Sequence, residues 1–122
     1  HYPGLKSFPQ YELARRQMTD YDGNFAPGSL VYFILKGSHR AARLHAARLI
    51  DRVARDSYTI TLAVSLGQVR TLIEHPSSMT HSSVPLEKQI SEGIDPGGVR
   101  LSIGLEDAGD LIQDLGRALS KR

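Results

Sequence analysis

The chain has 122 residues, 40% of them hydrophobic and 23% charged, which are the proportions of one folded domain with its own core. It has no cysteine, which excludes a disulfide framework and thiolate metal sites, and no apolar run approaches the roughly 18 residues of a membrane span. The pI is about 9.1, but 15 basic residues are interspersed with 13 acidic ones, so nucleic-acid binding is not expected.

The first part of the chain predicts two helices on either side of a buried strand. Ser7 and Gln10 are spaced as in a capping box, which predicts a helix that ends near Met18. Leu30–Leu35 is apolar without alternation, as in a strand covered on both faces. Apolar residues at three- and four-residue spacing then predict a long helix over Ser38–Asp56.

The second part predicts three strands and two further helices. Two of the strands alternate between apolar and other side chains, so each has two distinct faces. A loop rich in Pro, Ser and Thr is expected from Glu74 to Pro85. The predicted strands are Thr59–Val64, Val69–Ile73 and Val99–Ile103, and the predicted helices are Leu86–Glu92 and Asp107–Leu119, with Lys121 and Arg122 complementing the dipole of the last helix.

This order of elements favours an α/β (α+β) sandwich, in which helices pack on one face of a small, mainly antiparallel sheet. The long helix also has an arginine-rich face, which we interpret as solvated rather than as a nucleic-acid footprint. His75 and His81 do not have helical ligand spacing, and no cysteine or close carboxylate completes a shell, so no metal site is expected.

Motifs along nearly the whole chain resemble the C-terminal domain of the Cys/Met-metabolism (trans-sulfuration) family of enzymes that depend on pyridoxal phosphate (PLP). They stand in the order and spacing of that family. The matching segments are Tyr2–Leu5, Pro9–Met18, Val64–Gly67, Leu72–Pro76, Met79–Ser82, Gly93–Ile94 and Val99–Asp107.

The resemblance implies that residues 1–122 are the C-terminal substrate-binding domain of a fold-type I PLP enzyme, without its large PLP-binding domain. The motifs are most similar to those of methionine γ-lyases and cystathionine γ-lyases, and cystathionine γ-synthases belong to the same family. Such enzymes use PLP as an electron sink for elimination or replacement on sulfur-containing or activated-homoserine amino acids. A cytoplasmic homotetramer is implied, with an amino-acid substrate and neither nucleic acid nor membrane as a partner.

The resemblance also implies that this domain binds the α-carboxylate of the substrate. The matching residues are Arg100, Ser65 and Leu66 in a turn, and Thr80 close to the pocket. The position of Arg100 agrees, because it alternates with apolar residues and therefore faces away from the core, where a guanidinium needs an anion or water. A guanidinium binds a carboxylate through two parallel hydrogen bonds, whereas the alternative is a structural salt bridge or an exposed arginine on an edge strand.

Val64 is the residue that bears on specificity. Family members that act on cystathionine often have glutamate here, whereas valine resembles the methionine γ-lyases, where an apolar wall suits a thioether. We therefore expect a preference for an uncharged sulfur side chain. The alternative is that Val64 is only the last core residue of its strand.

The family's Schiff-base lysine lies in the absent domain, and none of Lys6, Lys36, Lys88 and Lys121 sits in a matching motif. No catalytic or cofactor-binding residue is therefore expected here, and the isolated chain should be inactive. The start at His1, without an initiating Met, suggests either an expressed fragment or a proteolytic remnant, and we favour the remnant. Asp22–Gly28 looks like a small insertion, either lining the site entrance or lying on the surface. The competing interpretation is a free-standing small-molecule-binding α/β regulatory module without catalysis.

Overall fold

The computed structural model describes residues 1–120, in which four helices and four strands are formed. The helices are α1 (Tyr11–Gln17), α2 (His39–Asp56), α3 (Leu86–Ser91) and α4 (Ala108–Ser120). The strands are β1 (Leu30–Ile34), β2 (Ile60–Leu62), β3 (Thr71–Glu74) and β4 (Gly98–Ser102). Lys121 and Arg122, which were expected to complement the dipole of the last helix, lie outside the described residues.

The strands form one sheet in the order β1-β4-β3-β2. The pairs β1–β4 and β4–β3 are antiparallel, and β2 runs parallel to β3. Helix α2 contacts α4, β2 and β4, so the two long helices cover the same face of the sheet. The predicted fold class, a mixed α/β domain with a small, mainly antiparallel sheet and helices on one face, is confirmed.

The hydrophobic core lies between that sheet face and the two long helices. Alternation places Val99 and Leu101 of β4 in the core, while Arg100 between them points to the opposite face. The other buried members of the core are Ala46, Leu49, Ile50, Val53, Ile60, Ile73, Leu111 and Ala118. We call the opposite side of the sheet the helix-free face, and it carries the candidate site.

Two helix starts show how far local patterns determine boundaries. The Asp107 carboxylate accepts hydrogen bonds from the amides of Gly109 (2.8 Å) and Asp110 (3.2 Å), so Asp107, predicted as the first residue of the last helix, instead caps α4. The capping-box prediction at Ser7 is wrong. Successive backbone turns occupy the segment before α1, and Gln10 precedes the helix without a side-chain cap.

The strand around Glu74 also differs from the prediction. The sequence places Glu74 at the start of a loop, whereas the structure places it in β3 and leaves it 1% exposed. Its partner in the register is Arg100 of β4, and the two side chains form an ion pair. A buried charge needs such a partner. The ion pair with Arg100, which is distant in sequence, therefore extends β3 to include Glu74.

The segment of the suspected insertion forms an ordered turn. The Asp20 carboxylate accepts hydrogen bonds from the amides of Asp22 (3.0 Å) and Asn24 (2.8 Å). Phe25 then packs edge-on against Tyr11 of α1, with ring centroids 5.7 Å apart. The loop is thereby attached to α1. Among residues 1–120, no helix is long and apolar enough to cross a bilayer.

Candidate functional site

The candidate site is centred on Arg100 in the middle of the helix-free face. The antiparallel register sets Tyr32 of β1 on one side of it and Glu74 of β3 on the other. The Tyr32 hydroxyl lies over Gly98, where a Cβ atom would collide with it, so a larger residue at this position would displace the Tyr32 side chain. These contacts place the guanidinium of Arg100 next to a buried carboxylate.

Arg100 is held through one nitrogen of its guanidinium. Nη2 forms an ion pair with the Glu74 carboxylate and donates a hydrogen bond to the backbone carbonyl of Ser65 at 3.2 Å. The Glu74 side chain is 1% exposed and that of Arg100 is 27% exposed. The described residues engage only Nη2, which leaves the other guanidinium donors for a ligand.

Thr80 joins the same cluster through Glu74. Its hydroxyl donates a hydrogen bond of 2.6 Å to Glu74 Oε1, while Glu74 Oε2 faces Arg100. Glu74 therefore connects two of the residues predicted from the sequence. Sequence reasoning missed Glu74 as a site residue. A signal was available, because this acidic residue directly follows the apolar residues Leu72 and Ile73 within a matched motif.

The turn after β2 lies beside Arg100. Gly67 has a φ of +71°, and its amide donates a 2.9 Å hydrogen bond to the hydroxyl of Ser102, two residues beyond Arg100 on β4. Val64 and Leu66 are 53% and 51% exposed, so Val64 is not a core residue of its strand. The turn thus presents two apolar side chains to the surface next to the carbonyl that contacts Arg100.

Buried polar residues anchor the loop that carries Thr80. His75 is completely buried, with Nδ1 2.7 Å from the Ser78 hydroxyl and Nε2 2.8 Å from the Pro96 carbonyl. Burial lowers the pKa of His75, which favours the neutral imidazole. On α3, the buried amide of Gln89 donates to the carbonyls of His81 (2.7 Å) and Val84 (2.8 Å). The loop is fixed at both of its ends.

The described part of the chain contains three lysines, the residue type that forms the Schiff base with PLP. Lys6, Lys36 and Lys88 are all exposed, and Lys88 Nζ lies 3.9 Å from Oε1 of Glu92, the residue after α3. Lys121 lies outside the described residues. A PLP-binding lysine needs a buried pocket, so the described lysines do not fit that role. Within residues 1–120, no group of three or more His, Asp or Glu side chains is arranged to hold a metal ion.

Comparisons with known proteins point to one family. The pattern described as "Cys/Met metabolism PLP-dependent enzyme" matches residues 1–120. The chain is 47% identical over 121 residues to L-methionine gamma-lyase of Pseudomonas putida, covering 98% of this chain and 26% of that protein. It is 42% identical over 120 residues to cystathionine gamma-lyase of Dictyostelium discoideum, covering 98% of this chain and 27% of that protein.

A solved structure agrees. The crystal structure of a cystathionine gamma-lyase from Micromonospora echinospora superposes with a TM-score of 0.80 at 39% identity, over 100% of this chain and 28% of that one. The chain therefore spans about a quarter of the length of the proteins it matches. Its fold is that of part of a PLP-dependent lyase, and it belongs to the family of Cys/Met metabolism PLP-dependent enzymes.

Proposed function

We propose that residues 1–122 are the C-terminal, substrate-binding domain of a PLP-dependent lyase or synthase that acts on sulfur-containing or activated-homoserine amino acids. Family membership and the partial coverage of the relatives support this division of the protein. Leu30 and Ile34, on the helix-free face, are 45% and 39% exposed, as expected of a face that the rest of the enzyme covers.

The role proposed for this domain is to bind the α-carboxylate of the amino acid through Arg100. The observation that carries the proposal is that Arg100 is fixed through Nη2 alone and is 27% exposed on the helix-free face. Its remaining N–H groups suit two parallel hydrogen bonds to a carboxylate, which fix the orientation of the ligand as well as its affinity. Ser65, Leu66 and Thr80 surround this position and complete the proposed substrate-binding group.

For the substrate side chain we propose a methionine γ-lyase-like preference. Val64 and Leu66 are exposed apolar side chains in the turn that contacts Arg100. A thioether can pack on such side chains without leaving a charge unpaired, whereas a distal ammonium group finds no counter-ion on them. The similarity to relatives named L-methionine gamma-lyase supports the same preference.

When bound in the parent enzyme, PLP supplies the electron sink for the reaction. We assign its lysine and its phosphate-binding residues to the part of the polypeptide outside this sequence, and we propose a cytoplasmic homotetramer, as the family resemblance implies. The residues of this chain bind and orient the substrate, and they provide no catalytic group of their own.

Replacing Arg100 by Ala in the full-length enzyme tests the proposed function. Loss of a bidentate, charge-assisted contact of about 3 kcal/mol should reduce kcat/KM for methionine about 100-fold. The affinity for an amine that lacks the carboxylate should change little, since Arg100 contacts only the carboxylate. Steady-state kinetics and ligand titration of the PLP-loaded enzyme measure both effects.

Arg40→Ala is the matched control, because Arg40 is an exposed arginine on α2, the helix side of the sheet. It should retain the wild-type kcat/KM. An Arg100→Ala enzyme that loses affinity equally for ligands with and without a carboxylate would contradict the proposed role.

A further inference from the structure

Glu74 has no place in the substrate-binding group proposed above, yet it is the most buried charge of the cluster, with 1% of its surface exposed. Both of its oxygens are in use. Oε2 pairs with Arg100 and Oε1 accepts the Thr80 hydroxyl at 2.6 Å. Its backbone is fixed as well, because Glu74 lies in β3 directly opposite Arg100 in the register.

Resting on the proposed function, we infer that Glu74 is a positioning residue, which orients the Arg100 guanidinium for the substrate carboxylate and does not contact the substrate itself. An arginine side chain has several rotatable bonds, and its planar fork recognises a carboxylate only in the correct orientation. The Glu74 carboxylate and the Ser65 carbonyl both bind Nη2. An ion pair and a hydrogen bond on the same nitrogen restrain the guanidinium and leave its other donors for the ligand.

Thr80 extends this arrangement to the neighbouring loop. Its hydroxyl fixes the second oxygen of Glu74, and its loop is anchored in turn by the buried side chains of His75 and Gln89. The orientation of Arg100 therefore depends on three separate segments: β3, the turn at Ser65 and the loop at Thr80. This chain of contacts gives Thr80 an indirect role through Glu74.

Substitution of Glu74 has two opposing effects on an anionic ligand. Loss of the carboxylate releases Arg100 from its orientation, but it also removes a negative charge that repels the carboxylate of the ligand. Comparing variants of equal charge separates the two. Glu74→Gln and Glu74→Met are both neutral, and only glutamine can accept a hydrogen bond from Nη2. Glu74→Asp retains the charge of wild type but is one methylene shorter.

The experiment uses the full-length, PLP-loaded enzyme and two probes, L-norleucine and pentylamine. They have the same side chain, and only the first has a carboxylate. Dissociation constants are measured from the visible absorbance of the bound cofactor. The ratio of the two constants reports carboxylate recognition, and effects on general stability or on cofactor loading cancel in it.

We expect the preference for L-norleucine over pentylamine to be about tenfold weaker in Glu74→Met than in Glu74→Gln. This is the difference made by one good hydrogen bond to a charged group. In Glu74→Asp, whose charge is that of wild type, the same preference should be several-fold weaker than in wild type. If Glu74→Met does not fold, the comparison of Glu74→Asp with wild type still decides. The inference is overturned if the norleucine-to-pentylamine ratio is the same for both members of each charge-matched pair whose members fold.

The Arg100→Ala background separates this inference from the proposed function. If Glu74 acts through Arg100, the differences within both pairs should disappear in that background. Differences that persist there would show that Glu74 acts on the ligand by another route. If Arg100→Ala alone leaves the norleucine-to-pentylamine ratio unchanged, the proposed function fails first, and the two failures are thereby distinguished.

Discussion

Arg100 depends on a carboxylate that is itself withdrawn from water. Breaking a buried pair of this kind by removing one partner costs about 3–5 kcal/mol, because the remaining charge has lost its compensation. In this cluster Arg100 is the more exposed of the two, at 27% against 1% for Glu74. The guanidinium is therefore accessible while Glu74 stays fixed, which suits the binding role proposed for Arg100.

The role of Val64 in substrate preference is also tested by a single substitution. Val64→Glu in the full-length enzyme should shift the kcat/KM ratio several-fold from methionine towards cystathionine, because a partly exposed carboxylate attracts a distal ammonium group by about 1 kcal/mol or less. Val64 is 53% exposed, so the substitution buries no charge. Steady-state kinetics with both amino acids measure the shift.

Val69→Glu is a suitable control, since Val69 is 69% exposed and lies beyond the turn. It should leave the substrate ratio as in wild type. A Val64→Glu enzyme with an unaltered methionine-to-cystathionine ratio would refute the assignment of Val64 to specificity.

At the scale of the elements, one carboxylate attaches α4 to the connection between α2 and β2. Asp114 Oδ2 accepts hydrogen bonds from the Ser57 hydroxyl (2.7 Å), the Thr59 hydroxyl (2.8 Å), and the amides of Tyr58 and Thr59 (3.0 Å each). These bonds, that of Ser57 foremost, lower the pKa of Asp114 from its ordinary 3.8 to about 2. The hydrogen-bonded carboxylate thereby stabilises the packing of α4 on the sheet.

Asp114→Asn should therefore lower the free energy of unfolding of the chain by about 2 kcal/mol at neutral pH, since an amide is a weaker acceptor than a carboxylate. The folded-state pKa lies below the unfolded one, so the contribution is fully present above about pH 4. It is lost as the pH falls towards about 2. Urea denaturation between pH 2 and pH 7 measures the difference between variant and wild type.

Asp51→Asn, at an exposed position on α2, is the control and should have little effect on stability. A deficit for Asp114→Asn that stays constant down to pH 2 would be inconsistent with a carboxylate whose ionisation supports the fold.

At the scale of the whole molecule, we propose that the Arg100 cluster is one side of a pocket that the rest of the enzyme completes. Arg100 is partly exposed on the helix-free face, and the described lysines do not fit the cofactor. We therefore expect the isolated 122-residue chain with added PLP to show no elimination of methionine, measured by keto-acid release. The full-length enzyme is the positive control. Turnover by the isolated chain that disappears in Arg100→Ala would show that the chain needs no further domain.

The sequence by itself determined the family, the class of fold and the positions of the long elements. Apolar spacing over α2 and α4, alternation in β4 and an extended motif around Arg100 are local properties, so they can be read without knowing what packs against what.

Only the tertiary structure decided which side chains meet around Arg100. Glu74 lies far from Arg100 in the sequence, and Ser65 and Thr80 belong to separate segments. The register of β3 against β4 brings these groups together, and that register follows from burial of the whole sheet face. The burial of Glu74 and the exposure of Val64 were settled in the same way, because both depend on neighbours distant in the chain.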